Sequence, residues 1–147
     1  MTYIKRRVKQ IVLSKYIFEE EMKVMQRETT LLYRPVNQAE LDLIKESDWK
    51  KIPPRLPDQP IFYPVMNEAY AIQIANEWNV PAYGVGYVTC FAVDSEYLKK
   101  FKVENVGGDI HNELWVPAGE LEMFNNHIIG QIEVTKVFRN ESKSLNN

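Results

Sequence analysis

The chain has 147 residues, of which 45% are hydrophobic and 26% charged, and its formal net charge is −2. This length and composition predict one globular domain with a buried core, and no apolar run approaches the roughly 20 residues of a membrane span. The single cysteine, Cys90, excludes an internal disulfide and suits a reducing cytoplasm, where we expect the protein. Cys90 and the two histidines, His111 and His127, show no metal-ligand spacing, so no metal is expected.

Charge is unevenly distributed along the chain. Residues 1–28 carry seven lysines and arginines against four glutamates, a local charge of +3, whereas 29–147 carry eleven against sixteen acidic residues, a local charge of −5. The acidic main part argues against nucleic acid as a partner, because phosphate contacts need a positive surface. The basic N-terminal stretch could contact nucleic acid or an acidic partner, but it favours a solvated amphipathic helix or a segment that docks on the rest of the chain.

The elements begin with an N-terminal arm, residues 1–28, whose helix-forming residues and spaced apolar positions predict one or two helices. The β-rich run 30–36 follows and predicts the first strand. Asn37, with Glu40 three residues later, resembles a capping box and predicts a helix that runs to about Ser47.

In the middle of the chain, prolines and glycines separate segments whose apolar residues recur periodically. Residues 49–60 contain four prolines, which exclude a helix or a central strand and predict an ordered loop or lid. Asn67 predicts the cap of a second helix that ends near Asn79, and Gly84-Val85-Gly86 predicts a kink within a strand. The remaining predicted elements are short helices at 95–100 and 118–126 and strands at 61–65, 83–93, 101–106, 110–116 and 128–138.

Together these elements predict an α+β fold, with mixed or antiparallel sheets and short flanking helices. Gly107-Gly108-Asp109 predicts a hairpin turn between two of the strands, because glycine tolerates a positive φ. We expect three regions: the basic helical arm at 1–28, a single α+β domain at 29–139 and a polar tail at 140–147.

One carboxylate, Glu113, lies inside a predicted strand of aromatic and branched residues. Glutamate is depleted in strand interiors, and a buried charge needs a partner. On this stretch alone, the simpler interpretation is that Glu113 lies on the solvent face of a half-buried strand.

The sequence has no P-loop, metalloprotease motif, nucleophile elbow or CxxC pair. Cys90 has no nearby basic group and predicts a small core residue rather than a nucleophile.

Three short segments contain the other candidate residues: Leu31-Leu32-Tyr33-Arg34; Pro60-Ile61-Phe62-Tyr63-Pro64 with Asn67-Glu68-Ala69-Tyr70; and Asn112-Glu113-Leu114-Trp115-Val116. In order and context they resemble the motifs of the ADP-ribosyltransferase superfamily. More closely, residues about 31–138 look like a small bacterial family labelled ADP-ribosylation/crystallin J1. The ADP-ribosylglycohydrolases to which that label refers have paired-aspartate magnesium sites, and nothing in this sequence resembles those sites.

The resemblance implies an ADP-ribosyltransferase-like fold that takes NAD as its substrate. Arg34 would grip a diphosphate or ribose oxygen of NAD with its fork of donors. Tyr63 or Phe62, with Tyr70, would sandwich the nicotinamide ring. Glu113 would hydrogen-bond a ribose hydroxyl and stabilise the cationic sugar as nicotinamide leaves. The implied catalytic residues are Glu113, Arg34 and Tyr63, and the implied NAD-binding residues are Arg34, Phe62, Tyr63, Tyr70 and Thr89.

Two classes of function stay open. The first is a mono-ADP-ribosyltransferase, or an NAD-binding relative, with a protein as a possible acceptor. His111 stands where arginine-modifying toxins carry an acidic residue, which argues against arginine as that acceptor. The second is a non-catalytic module on the same fold that binds a nucleotide or a protein. An RNA-end enzyme of the 2′-phosphotransferase type would need more basic clustering than residues 29–147 carry.

Overall fold

A computed structural model describes the backbone of residues 2–140 and the side chains of residues 6–23 and 27–140. The fold is α+β, as predicted, with small antiparallel sheets and short helices. Residues 141–147 of the predicted polar tail lie outside the described part of the chain. In chain order the elements are α1 (Thr2–Gln26), β1 (Thr29–Val36), α2 (Gln38–Glu46), β2 (Ile61–Phe62), α3 (Glu68–Ile74), a π-helical turn (Ala75–Asn79), α4 (Val80–Tyr83), β3 (Val85–Asp94), α5 (Ser95–Leu98), β4 (Val103–Asn105), β5 (Asn112–Leu114), β6 (Val116–Pro117), a 3₁₀ turn (Ala118–Glu120), α6 (Leu121–Asn126) and β7 (Ile128–Arg139).

The N-terminal arm is a single helix, α1, where the sequence allowed one or two. Every side chain from 6 to 21 is exposed, so this stretch is solvated and does not dock on the rest of the chain. Although α1 has 25 residues, its many charges interrupt the apolar positions. Among the described residues, no helix is both long and apolar enough to cross a membrane.

The main sheet has three antiparallel strands in the order β1, β3, β7. Its central strand, β3, is buried along almost its whole length because both of its edges are paired and both of its faces are covered. In the register between β1 and β3, Tyr33 lies opposite Cys90 and Arg34 lies opposite Thr89. Burial raises the pKa of the Cys90 thiol, which fits a half-buried structural cysteine better than a nucleophile.

A second, smaller layer connects β1 to the strand that carries Glu113. The strands β2 and β6 form one antiparallel pair, and β4 and β5 form the predicted hairpin. Val65 joins the two layers, because its backbone N–H and C=O both bond to Tyr33 at 2.9 Å and it also bridges to Glu113. The Leu114 N–H completes this junction by donating to the Pro64 carbonyl oxygen at 2.9 Å.

The apolar residues form two clusters, and successive strand residues alternate between them. Leu32 and Leu114 belong to the larger cluster, whereas Tyr33 packs against the smaller cluster around Val65. Arg34 therefore points to the same side of the layer as Leu32. Glu113, whose neighbour Leu114 faces the larger cluster, points to the opposite side. This alternation decides which of the predicted site residues can meet.

Several boundaries predicted from the sequence differ from those in the structure, and two of the differences have a clear local cause. The strand predicted from Tyr83 begins at Val85, because the preceding helix continues through α4. Gly84 ends that helix with φ +78° and donates its N–H to the Val80 carbonyl oxygen at 2.8 Å, so it is a helix cap and not a strand kink. The strand predicted at 61–65 is reduced to β2 and the bridge at Val65, since Pro64 between them has no N–H.

Candidate functional site

Two arginines and one glutamate form a compact ion cluster at the end of β1. Arg34 donates to Glu40 through two bonds, from Nε to Oε2 at 2.5 Å and from Nη2 to Oε1 at 2.9 Å. Arg55 donates from Nη2 to the same Oε1 at 3.3 Å. Both guanidinium groups lie over the ring of Phe62, at 5.0 Å and 5.4 Å from its centroid. We call Arg34, Arg55, Glu40 and Phe62 the arginine cluster.

The local sequence explains how these side chains converge. Asn37 caps α2 as predicted, accepting from the Glu40 N–H at 2.9 Å, and this places Glu40 in the first turn beside the end of β1. The Glu40 carboxylate then turns to the arginines instead of closing a capping box. The proline-rich loop carries Arg55 and is pinned at Ile52, whose N–H and carbonyl oxygen both bond to Asn125 at 2.9 Å.

The arginine cluster carries one positive charge in excess inside a mostly buried site. The side chains of Arg34, Glu40 and Arg55 are only 17%, 16% and 7% exposed. Burial raises the pKa of the Glu40 carboxyl, but the two guanidinium groups outweigh burial and the net pKa lies below its usual value. Burial and the adjacent Arg34 lower the pKa of Arg55. Within the described residues, the buried Arg55 Nε has no hydrogen-bond partner. A bound anion would balance this excess positive charge in competition with the Asp58 carboxylate, which lines one of the adjoining cavities beside Arg34 and Arg55.

Two open cavities, of about 360 and 270 Å³, adjoin the arginine cluster and share Arg34, Arg55 and Gln59 in their walls. Tyr63, which is 43% exposed, lines the smaller of them. Binding sites for small molecules commonly measure about 300–1,000 Å³, so the two spaces together suit a nucleotide better than either does alone. A larger cavity of about 610 Å³ beside α6 is mainly apolar and includes none of the predicted site residues.

Glu113 occupies a separate, more enclosed position and is only 9% exposed. The Tyr70 hydroxyl donates to its Oε2 at 3.1 Å, and the Trp115 indole N–H donates to its Oε1 at 2.8 Å. Burial and the adjacent Glu113 carboxylate raise the pKa of Tyr70, which keeps this donor protonated. Both oxygens of the predicted catalytic carboxylate are thus already hydrogen-bonded. We call Glu113, Tyr70 and Trp115 the glutamate cluster.

His111 packs against the glutamate cluster, with its ring 4.8 Å from that of Tyr70. The Gly108 N–H donates to its Nδ1 at 2.7 Å, so Nδ1 is the acceptor and Nε2 carries the proton. Nε2 lies 2.8 Å from the amide oxygen of Gln73, to which it donates. Because both ring nitrogens have partners, His111 fixes the position of the Tyr70 ring.

The structure brings some of the predicted site residues together and separates others. Arg34 meets Phe62, and Glu113 meets Tyr70, but Arg34 and Glu113 face opposite sides of the layer. Tyr63 lies between the two groups: it lines a cavity with Arg34, and its ring lies 5.9 Å from that of Trp115, edge to face.

The resemblance implies that Thr89 and Phe62 contact NAD, but both side chains are buried in the fold. The Thr89 side chain is fully buried and donates its hydroxyl to the Arg34 carbonyl oxygen at 2.7 Å, so it fixes the backbone of Arg34. Phe62 is also fully buried, beneath the two arginines. Among the predicted aromatic residues, Tyr63 is therefore the one exposed enough to stack on a ligand.

Sequence reasoning missed two contributors to the site. Arg55 was assigned only to an ordered loop, although an arginine among four prolines is held by a stiff backbone and could have been recognised on that ground. Glu40 was assigned only to a helix cap. Its pairing with Arg55, fifteen positions away, has no local signature.

Comparison of the chain with models of known protein families and with curated proteins finds no match. Across the part of the chain that the structure describes, no group of three or more histidine, cysteine or acidic side chains is arranged to hold a metal ion. The arginine cluster, Tyr63 and the glutamate cluster are the groups whose geometry bears on function.

Proposed function

We propose that this protein binds NAD, with the diphosphate of NAD at the arginine cluster. The observation that carries this proposal is the pair Arg34 and Arg55, two nearly buried guanidinium groups that share the single carboxylate of Glu40. A planar guanidinium donates to two oxygens at once, which suits a diphosphate. The positive charge left over at the cluster adds electrostatic attraction in a site that is largely shielded from water.

Tyr63 supports the placement of the nicotinamide half of NAD. Its ring is 43% exposed at the mouth of the smaller cavity, so it offers a stacking surface for a flat ring next to Arg34 and Arg55. Trp115 packs against Tyr63 and donates to Glu113, so the path from the arginines to the carboxylate runs along two aromatic rings. We also propose that the domain has an ADP-ribosyltransferase-like fold, because the segments that carry Arg34, Tyr63 and Glu113 follow one another in the order of that superfamily's motifs.

ADP-ribosyl transfer is the activity that this NAD site would support. The bond between ribose C1′ and the nicotinamide nitrogen breaks, nicotinamide leaves as a neutral molecule, and an acceptor nucleophile bonds to C1′ and loses its proton. Glu113 would stabilise the cationic sugar between these events. Its carboxylate accepts from Tyr70 and Trp115, and Trp115, at 44% exposure, is the donor that can move aside for a ribose hydroxyl.

A non-catalytic nucleotide-binding module is the second candidate function. It is favoured by the enclosure of Glu113, whose two oxygens both have internal donors, and by the placement of Arg34 and Glu113 on opposite sides of the layer. In that case the arginine cluster would bind the same diphosphate, and Glu113 would hold Tyr70 and Trp115 in place.

The first test is ligand-induced thermal stabilisation of the wild-type chain. NAD and ADP-ribose should both raise the melting temperature, because each carries the diphosphate and binds only the folded state. Nicotinamide alone should have a much smaller effect. Replacing Arg34 or Arg55 with glutamine should weaken NAD binding roughly 10- to 100-fold, the value of one or two charge-assisted hydrogen bonds.

Arg27→Gln is the matched control for this test, because Arg27 is also ion-paired, to Asp94, but lies outside the arginine cluster. It should leave NAD binding unchanged. The Arg34 and Arg55 variants should still fold, since Glu40 keeps one arginine partner in each. An unshifted melting temperature at millimolar NAD, or equal losses in all three variants, would rule out the proposed site.

The second test separates transfer from binding alone through Glu113→Gln. This change keeps the shape of the side chain but removes the charge that would stabilise the cationic sugar. We expect nicotinamide release to fall by a factor of about 10² or more while the NAD-induced thermal shift persists. Nicotinamide is measured chromatographically after incubation with NAD and a protein mixture. Glu133→Gln, which makes the same change at an exposed glutamate of β7 outside both clusters, serves as a control that should retain release. Binding without any release by wild type would favour the non-catalytic module.

A further inference from the structure

The helix α1 carries an apolar seam whose side chains are exposed from Val8 to Phe18, whereas Met22 at its end is half-buried. Val8, Ile11, Phe18 and Met22 follow one another at the three- and four-residue spacings of a heptad repeat, with Lys15 in the remaining seam position. Val8 is 53% exposed, Ile11 62% and Phe18 61%. Such a seam is the feature that pairs helices in coiled coils. The NAD proposal does not involve α1.

We propose that α1 pairs with α1 of a second copy of this chain, and that the two helices run antiparallel. Charge complementarity favours a second copy as the partner. Arg7 and Glu21 occupy equivalent positions two heptads apart, on the same flank of the seam, and the side chains of both are exposed. When the second helix runs in the opposite direction, Arg7 lies across from Glu21 of the second copy. Two-fold symmetry then forms this pair twice.

The lysine within the seam favours the antiparallel orientation. In a parallel, in-register pair, Lys15 would face Lys15 of the second copy, and like charges that face one another are destabilising. In the antiparallel pair, Lys15 lies across from Ile11 of the second copy instead. Its long aliphatic stem can then cover that apolar side chain while its ammonium group reaches solvent. The same residue thus disfavours one orientation and is tolerated in the other.

The antiparallel pair also brings matching apolar residues together. Taking the seam positions in reverse order places Val8 across from Phe18 of the second copy, and Phe18 across from Val8. Ser14, midway between Arg7 and Glu21 on the same flank, meets Ser14 of the second copy at the two-fold axis. Leu13 and Ile17 lie on the opposite side of α1 and stay exposed in the pair.

Sedimentation equilibrium of the full chain tests this pairing directly. We expect a concentration-dependent dimer, and Arg7→Glu should raise its dissociation constant on the order of tenfold at low salt, because two attractive pairs become repulsive. Arg6→Glu is the matched control: it makes the same charge change at the adjacent position, which lies outside the seam, and should have little effect. The double variant Arg7→Glu with Glu21→Arg should restore the dimer.

Orientation is tested with Ser14→Cys under mild oxidation. A disulfide-linked dimer that the wild-type chain, with Cys90 alone, does not form would support the antiparallel arrangement. A chain that stays monomeric at the highest attainable concentration would overturn the proposal. So would equal effects of Arg6→Glu and Arg7→Glu on the dissociation constant. A monomer whose α1 instead binds vesicles rich in anionic lipid would assign the apolar seam to a membrane surface and would also overturn it.

Discussion

Glu40→Gln should lower the free energy of unfolding by about 3–5 kcal/mol, the usual cost of removing one member of a mostly buried ion cluster. The substitution leaves Arg34 and Arg55 facing each other without a counter-charge in a site where both side chains are less than one-fifth exposed. Urea denaturation monitored by tryptophan fluorescence measures the change. Glu46→Gln is the matched control, since Glu46 is exposed on the same helix and should cost little.

The pH dependence of stability provides a second measurement of the same interaction. The two arginines hold the pKa of Glu40 in the folded state below its ordinary value of 4.5. A group whose pKa is lower in the folded state stabilises the fold above its unfolded-state pKa and loses that stabilisation as the pH falls through the folded-state value. Wild-type stability should therefore decline below about pH 4.5, and the Glu40→Gln variant should decline less steeply over that range.

The same variant links stability to ligand binding. With Glu40 neutralised, the arginine cluster carries two uncompensated charges, so NAD or ADP-ribose should raise the melting temperature of Glu40→Gln more than that of wild type. If the variant is as stable as wild type and gains nothing from these ligands, then Glu40 does not hold the arginines, and the cluster is not a diphosphate site.

The elements that depend on local signals were predictable from the sequence. The Asn37 cap and the proline-rich loop each follow from the conformational preference of a few adjacent residues, and the structure has both. The hairpin around Gly107-Gly108-Asp109 also forms, between β4 and β5, but neither glycine adopts the positive φ on which its prediction was based. The α+β class followed from the order of these elements. The prediction of a strand kink at Gly84 is wrong because glycine suits both a strand kink and a helix cap. Only the length of the preceding helix decides between the two.

The arrangement of the site depended on contacts that no local pattern specifies. The backbone bridges of Val65 set the register between β1 and β5, and this register places Arg34 and Glu113 on opposite sides of the layer. A sequence motif gives the order of these residues but not the face on which each lies. The convergence of Arg34, Glu40 and Arg55 likewise needs the loop to return to the end of β1, which only the folded chain reveals.

Phe62→Ala should destabilise the fold by about 3–5 kcal/mol, the range for removing a fully buried aromatic side chain. Phe62 has no exposed surface, and its ring packs edge to face against that of Phe124 at 5.4 Å while supporting both arginines on its other side. The substitution therefore opens a cavity and removes the platform of the arginine cluster at once. Thermal and urea denaturation should both register the loss.

Phe62→Leu separates these two consequences. Leucine restores much of the apolar volume, so we expect most of the stability to return, to within about 1–2 kcal/mol of wild type. It provides no aromatic face beneath Arg34 and Arg55, so the guanidinium groups lose a cation–π contact and the fixed orientation in which, on the proposed function, they would meet a diphosphate. NAD and ADP-ribose should then bind several-fold more weakly to a chain that is nearly as stable. Unchanged affinity in Phe62→Leu would show that Glu40 alone orients the arginines, and Phe62 would then be a core residue with no part in ligand binding.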